Sequence, residues 1–285
     1  MNDIQLFKPH ESLAPYINGY LVSKIKFDGT ERPVFTPKGT AAIITIFKIN
    51  SNSYLTYPTK EDRIYFKNHH PYLFGQMTKV GISHFEGVFE FFCIVFTPTG
   101  LFHFLNKPAS ECTDKVTPLN EIGFKLLHQR ILEVSQSFMS LKDLLSSIDE
   151  LLLGHFSNMK PKKPHVDMSH MVHYIFLKKG IVGLDELIEQ LGIGKRAFQI
   201  YFKNQVGVPP KVFCRIVRFN LLLIALEKDP FVDILELAIN FGYNDSPHLY
   251  KDFTTYLGMS PRKYQQLLVN YNLAVEREIK KDYLK

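Results

Sequence analysis

Cysteine is scarce: Cys93, Cys112 and Cys214 are the only three in 285 residues. They are odd in number and far apart, and no metal or redox spacing links them. That argues against a disulfide framework or a thiolate cluster and suits ordinary thiols in a reducing compartment. Long apolar runs are also missing. Leu221–Leu226 and Phe91–Phe96, among the longest, fall far short of the ~20 residues of a membrane span. The opening residues, Met1–Leu13, have no apolar signal core. There is no Gly-rich phosphate loop, nucleophile elbow or paired-carboxylate arrangement. A cytoplasmic protein that is neither a membrane protein nor an enzyme is the expectation.

Histidine offers no better start. His69, His70, His84 and His103 make no His-x-His motif with a following Glu. His165, His170 and His173 lie close enough to ligate zinc, but such pairs on helices are more often surface or core. No cofactor and no metal are expected. Charge is present but unevenly shared. Residues 1–160 hold 16 Lys+Arg against 15 Asp+Glu, and residues 161–285 hold 18 against 13. A basic C-terminal half suits a phosphate-binding surface, where affinity comes largely from released counterions.

What the sequence does contain is a pattern written twice. Gly194 to Pro210 and Asp245 to Pro261 align at an offset of 51, pairing Phe198 with Leu249, Phe202 with Phe253, Gly207 with Gly258 and Pro210 with Pro261. Within each copy, apolar residues recur every four positions (Phe198, Phe202, Val206; Leu249, Phe253, Leu257) and share one helix face that must be buried. Asp245 is a good N-cap, Gly194 an acceptable one, and Gly207 and Gly258 read as helix stops. A shorter helix precedes each copy, Leu184–Leu191 and Ile234–Phe241, with Asp233 and Glu236 resembling a capping box. Each pair has the form of a helix-turn-helix. Lys211–Lys228 between them reads as one helix of roughly 27 Å at 1.5 Å per residue. Successive major grooves on one side of a duplex lie about 34 Å apart, so such a rod can set two reading heads one turn apart.

Ahead of this region, residues 1 to about 115 alternate strand-like runs (Ala41–Phe47, Val88–Phe96) with Gly and Pro punctuation, as barrels and sandwiches do. Phe85, Phe89, Phe91, Phe92 and Phe96 are assigned to core. Two helices are expected next, Glu121–Ser135 and Leu141–Phe156. The second carries a stripe of Leu141, Leu144, Leu145, Ile148, Leu151, Leu152 and Phe156. The stripe either covers the open side of the β domain or makes a dimer contact. Pro161 and Pro164, with Lys160, Lys162 and Lys163, mark a boundary that helix cannot cross. A helix from Asp167 to Lys179 follows, and a charged tail with Glu276–Lys281 ends the chain. The fold class expected is α+β. A β-rich barrel or sandwich-like domain with two helices takes residues 1–157, a linker 158–165, and an all-α domain with two helix-turn-helix units 166–285.

The ordered set Phe198, Phe202, Lys203, Gly207, Pro210, Phe213, Arg218, then Ile234, Ala238, Gly242, Tyr243, Asp245, Leu249, Phe253, Gly258, Ser260, Pro261, Tyr264 resembles the DNA-binding domain of AraC/XylS-type transcription regulators. Departures are Gly194 for the usual Ser, Ile200 for Arg, Pro247 for Ser, Lys251 for Arg, and Ile188 for a small residue. Pro37-Lys38-Gly39, Phe74-Gly75-Gln76 and Phe96-x-Pro98-x-Gly100 are similar to N-terminal sensor domains attached to such regulators. The resemblance implies double-stranded DNA and RNA polymerase as partners, activation more often than repression, and an N-terminal domain that binds a small-molecule effector or forms a homodimer. A DNA-binding protein with no ligand, or a β-barrel enzyme fused to a DNA-binding domain, are the alternative readings.

Opposite the buried stripes lie the candidate contacts. Base-contacting candidates are Arg196, Gln199, Ile200, Asn244, Ser246, Pro247 and Lys251, and phosphate candidates are Lys195, Lys203, His248, Tyr250 and Thr254. Arg suits guanine and Gln suits adenine in bidentate fashion, while phosphate contacts position without specifying. Ile200 either meets a thymine methyl or packs sideways. Lys251 keeps charge without the planar fork of Arg. Arg196→Ala and Gln199→Ala are expected to cost about 1–3 kcal/mol each and to relax specificity at one base, whereas Lys203→Ala weakens all sequences alike. A changed base preference in Lys203→Ala, measured by competition binding, would overturn the phosphate assignment.

Overall fold

The computed structural model describes residues 3–27, 34–57, 60–158, 164 and 166–270. Most of the expected linker (159–163 and 165) and the charged tail (271–285) lie outside them. The N-terminal chain runs through β1 (Asp3–Phe7), β2 (Ile17–Phe27), β3 (Val34–Phe35), β4 (Ala42–Lys48), β5 (Tyr54–Tyr57), β6 (Lys60–Tyr65), β7 (Pro71–Phe74), β8 (Gly81–His84) and β9 (Gly87–Phe96). It continues with α1 (Gly100–Leu105), β10 (Val116–Pro118), α2 (Lys125–Ser137) and α3 (Leu141–Asn158). The strands form two antiparallel sheets, ordered β1-β2-β9-β4-β7-β10 and β3-β8-β5-β6.

The apolar runs that mark β4 and β9 are continuous because the larger sheet is buried on both faces. Successive side chains of a strand point to opposite sides, and here neighbours part into different cores. Tyr20, Ile43, Leu73, Phe92 and Ile94 pack with α1, α2 and α3, while Leu21, Ile44, Tyr72, Cys93 and Val95 pack toward the smaller sheet with Leu55, Phe66 and Phe85. Burial pushes the Cys93 thiol up to about 12. The expected stripe on α3 covers the sheet: Leu144, Ile148 and Leu152 are buried, with Leu141, Leu145, Leu151 and Phe156 packed against the same core. Asp149 on α3 adds a polar tie, accepting from the Tyr20 hydroxyl at 2.6 Å. The helix expected from Glu121 starts later. Leu119–Ile122 is a 3-10 turn, and Gly123 at φ 100° interrupts the chain before α2 begins at Lys125.

The C-terminal part is helical: α4 (Ser169–Leu177), α5 (Leu184–Glu189), α6 (Lys195–Val206), α7 (Pro210–Lys228), α8 (Ile234–Asn240), α9 (Ser246–Leu257) and α10 (Pro261–Asn270). No helix among the described residues is long and apolar enough to cross a membrane. Among them, too, no three His, Cys, Asp or Glu side chains gather as a metal ion would require. His170 and His173 are exposed on α4.

Histidines instead help to dock α2 on the sheet. The backbone N–H of Asn120 donates to His128 Nδ1 at 3.3 Å, so the ring proton sits on Nε2, which donates to His70 Nδ1 at 3.1 Å. His69 Nδ1 donates to the carbonyl of Ser135 at 3.0 Å. Burial lowers the pKa of His70 and of His128. Both therefore take up protons less readily in the fold than in an unfolded chain, which does so near pH 6.5. Their contribution is complete above the unfolded value and is lost as pH falls toward the folded values, where the unfolded state binds more protons. Urea midpoints are therefore expected to drop as pH falls below about 6.5. His128→Asn, whose Oδ1 can still accept from Asn120, is expected to flatten the profile; an unchanged slope would refute the assignment.

Candidate nucleic-acid interface

α6 and α9 have equal length and sit at the predicted offset of 51, Lys195–Val206 against Ser246–Leu257. Each buries its stripe completely: Phe198 and Phe202 are 0% exposed, as are Leu249 and Phe253. Each ends at a glycine with positive φ, 93° at Gly207 and 70° at Gly258, a conformation costly for side chains bearing a Cβ. The starts differ. Asp245 accepts from the His248 backbone N–H at 2.9 Å, whereas Gly194 caps α6 without any side-chain bond. Glycine in place of a hydrogen-bonding cap costs only a few tenths of a kcal/mol. The turns differ as well. Both turns span five residues (190–194 and 241–245), but the positive-φ glycine is the third residue of the first, Gly192, and the second residue of the other, Gly242.

With one face buried, the other is forced outward. Arg196, Gln199, Ile200 and Lys203 are exposed along α6, and Ser246, Pro247, Tyr250, Lys251 and Thr254 along α9, with Asn244 just before it. Ile200 is 48% exposed and leaves an apolar spot on a polar surface. Pro247 sits in the first turn of α9, where a missing N–H costs no helical bond. Three phosphate candidates already have partners. Lys195 pairs with Asp185 at 3.2 Å, the His248 ring meets the Asp245 carboxylate at 2.9 Å, and Thr254 Oγ1 donates to the Tyr250 carbonyl at 3.0 Å. Such exposed pairs are weak and screened by salt, so a phosphate can displace them.

α7 holds the two units. Phe213, Cys214 and Val217 complete the core beneath α6, while Ile216, Phe219, Leu222, Leu223 and Leu226 complete the core beneath α9. A polar bolt joins α7 to the second unit. The Asp252 carboxylate, 2% exposed at its side chain, accepts from the Arg215 guanidinium and, at 2.9 Å, from the Tyr243 hydroxyl. Arg218 lies 4.3 Å over the Tyr243 ring and donates to the Gly242 carbonyl at 3.1 Å. Burial and the adjacent Asp252 charge hold the Tyr243 hydroxyl far above the ordinary phenol range, so it remains a donor. Burial likewise pushes Tyr256 up to about 12.

Residues outside the expected set also bear on this surface. Gln76 and Thr113 of the N-terminal domain donate to the carbonyls of Val206 and Gly207. Phe74-Gly75-Gln76 stands out in the sequence, but nothing local names a partner more than a hundred residues away. Asp252 was equally hidden, since a lone acid in a helix reads as surface.

Asp252→Ala would strand two donors, one on the buried Tyr243. The expected loss is about 1–3 kcal/mol, the cost of unsatisfied polar groups, because half-exposed Arg215 can recover water. Chemical denaturation checks it; a loss below about 0.5 kcal/mol, typical of surface changes, would show the bolt to be incidental.

Residues 187–267 match a helix-turn-helix domain family, and residues 5–118 match a domain of unknown function (DUF6597). The HTH-type transcriptional regulator MtrA of Neisseria gonorrhoeae is 22% identical over 160 residues, covering 56% of this chain and 48% of that protein. The chain thus spans about half the length of this curated relative. Among solved structures, ToxT from Vibrio cholerae O395 has a TM-score of 0.50 at 10% identity, covering 88% of this chain and 99% of that one. ToxT from Vibrio cholerae strain SCE256, with an unsaturated fatty acid bound, has a TM-score of 0.51 at 12% identity, with coverage of 88% and 96%. The ToxT likeness speaks to the fold alone. Taken with the paired helices, the domain match makes residues 187–267 a helix-turn-helix domain similar to those of transcriptional regulators such as MtrA.

Proposed function

We propose that this protein is a sequence-specific transcription regulator that reads two adjacent major grooves of double-stranded DNA with α6 and α9. One observation carries the reading: two helices of equal length, each buried on one face and polar on the other, are mounted on a shared α7. An exposed helix face of Arg, Gln and Lys beside a major groove meets base edges and phosphates together. Because the faces differ, with Arg196, Gln199 and Ile200 on one and Pro247, Tyr250 and Lys251 on the other, a single chain reads an asymmetric site. Activation through RNA polymerase belongs to the same reading. Exposed Leu235 (45%) and Ile239 (68%) along α8, with Phe231 (84%) in the turn before it, support a protein-facing surface on the second unit.

The domain division of the reading is residues 1–157 for sensing or dimerisation, 158–165 as linker and 166–285 for DNA, with a cytoplasmic location and no catalysis. Between α2 and α3 lies a groove of about 700 Å³ lined by Leu126, Leu127, Leu151 and Gly154, with Arg130 and Glu150 among its walls. Opposite charges on one patch are what a two-fold homodimer needs to meet itself. The fatty acid bound to ToxT supports an apolar carboxylic acid as the effector class.

Selecting duplexes from a random pool with the intact chain tests all parts. The expected result is a site with two unlike halves about 34 Å apart. The site appears twice if the chain pairs through the groove, and its enrichment shifts when an unsaturated fatty acid is added. No enrichment, or a palindrome of one half-site, would refute the reading.

A further inference from the structure

The last carbonyls of a helix have no partner inside it, and here the N-terminal domain supplies partners to both reading helices. At the end of α6, Gln76 Nε2 donates to the Val206 carbonyl at 3.2 Å and Thr113 Oγ1 to the Gly207 carbonyl at 2.6 Å. At the end of α9, the Val80 backbone N–H donates to the Thr255 carbonyl at 2.9 Å. The two stop glycines press on the same loop. A Cβ built on Gly207 would come within 3.2 Å of the Gln76 Cβ, and one on Gly258 within 3.4 Å of Val80 Cγ1. Gln76 and Val80 lie in one loop between β7 and β8, separated by at most about 14 Å of extended chain.

That loop is stiff. The Asp114 carboxylate accepts from the Thr78 backbone at 2.7 Å and from its hydroxyl at 2.6 Å, while Asp114 N–H donates to the Gln76 carbonyl at 3.0 Å. Gln76 is 1% exposed, Met77 7% and Val80 2%. The middle of α7 is held by the same domain, with Asn220 Nδ2 donating to the Pro37 carbonyl at 2.9 Å. First unit, α7, second unit and loop therefore form a closed ring. α7 alone would leave the far ends of the reading helices free to splay; the ring does not.

We infer that the loop from Gln76 to Val80 is a spacing gauge: by gripping the C-terminal end of each reading helix, the N-terminal domain fixes how far apart the two half-sites must lie. The inference rests on the DNA-reading assignment above. Gln76, Thr113 and Val80 act as positioning residues and touch no base.

The test compares the intact chain with Gln76→Ala/Thr113→Val, using the duplex selected by the intact chain and copies with one base pair inserted or deleted between the halves. For the intact chain the altered spacings bind much more weakly. In the double variant the ratio of native-spacing to altered-spacing affinity is expected to fall about tenfold, a coupling of ordinary size between sites. Thr113→Ser, which keeps a hydroxyl donor, retains the intact ratio. Val80→Pro, which removes the donor to α9, lowers it from the other end. An unchanged ratio, or an equal weakening on every spacing, would overturn the gauge. If the double variant fails to melt cooperatively, Thr113→Val alone carries the comparison. A chain that selects no sequence at all brings down the DNA reading itself, which is visible before any variant is made.

Discussion

The C-terminal domain depends on one helix that water cannot reach from either side. α7 presents Phe213 and Val217 to one unit and Phe219, Leu222, Leu223 and Leu226 to the other, all at or below 1% exposure. Each such side chain contributes about 1.5–3 kcal/mol when removed from water. Both units draw side chains from this helix to complete their cores. The exposed faces of α6 and α9 follow from that constraint. Once Phe198 and Phe202, or Leu249 and Phe253, are committed to α7, the residues on the far side of the same turns have only solvent or a ligand to face.

The two units solve the same problem by different chemistry. The first begins its second helix at an uncapped glycine and carries an apolar Ile200 among polar neighbours. The second is capped by Asp245 and bolted to α7 through a buried carboxylate. Buried charge is a demanding choice, because Asp252 must be paired and hydrogen-bonded to offset desolvation. Arg215 and Tyr243 meet that demand and fix the orientation of α9 more narrowly than apolar contact alone. Two unlike heads in fixed relation suit an asymmetric target, which a repeated half-site would not match.

The N-terminal domain is more than a neighbour. Its larger sheet is covered on one face by α1–α3 and on the other by the smaller sheet, and the loops that carry Pro37, Gln76, Val80 and Thr113 hydrogen-bond to the helical domain. Helix C-termini carry partial negative charge and unpaired carbonyls, so they are natural places for another domain to attach. An attachment there constrains helix direction without covering the exposed polar faces.

Periodicity and local signals were enough for much of this. An apolar residue every fourth position can only be a buried helix face, so Phe198, Phe202, Leu249 and Phe253 announce α6 and α9. Glycine after each run announces its end, because few other residues adopt positive φ cheaply. Continuous branched and aromatic runs mark β4 and β9 as strands, and the stripe on α3 marks a covering helix. The late start of α2 was less legible, since a 3-10 turn and an α-helix share their first hydrogen-bonding possibilities. What tertiary structure alone decided is which distant groups meet. Gln76 finds Val206, Val80 finds Thr255, and Asp252 finds Arg215, because the folded chain brings elements together at separations that no local pattern encodes. Helix and strand propensities act over a few residues, and the sequence by itself determined those; partner choice for a side chain or carbonyl depends on the whole packing.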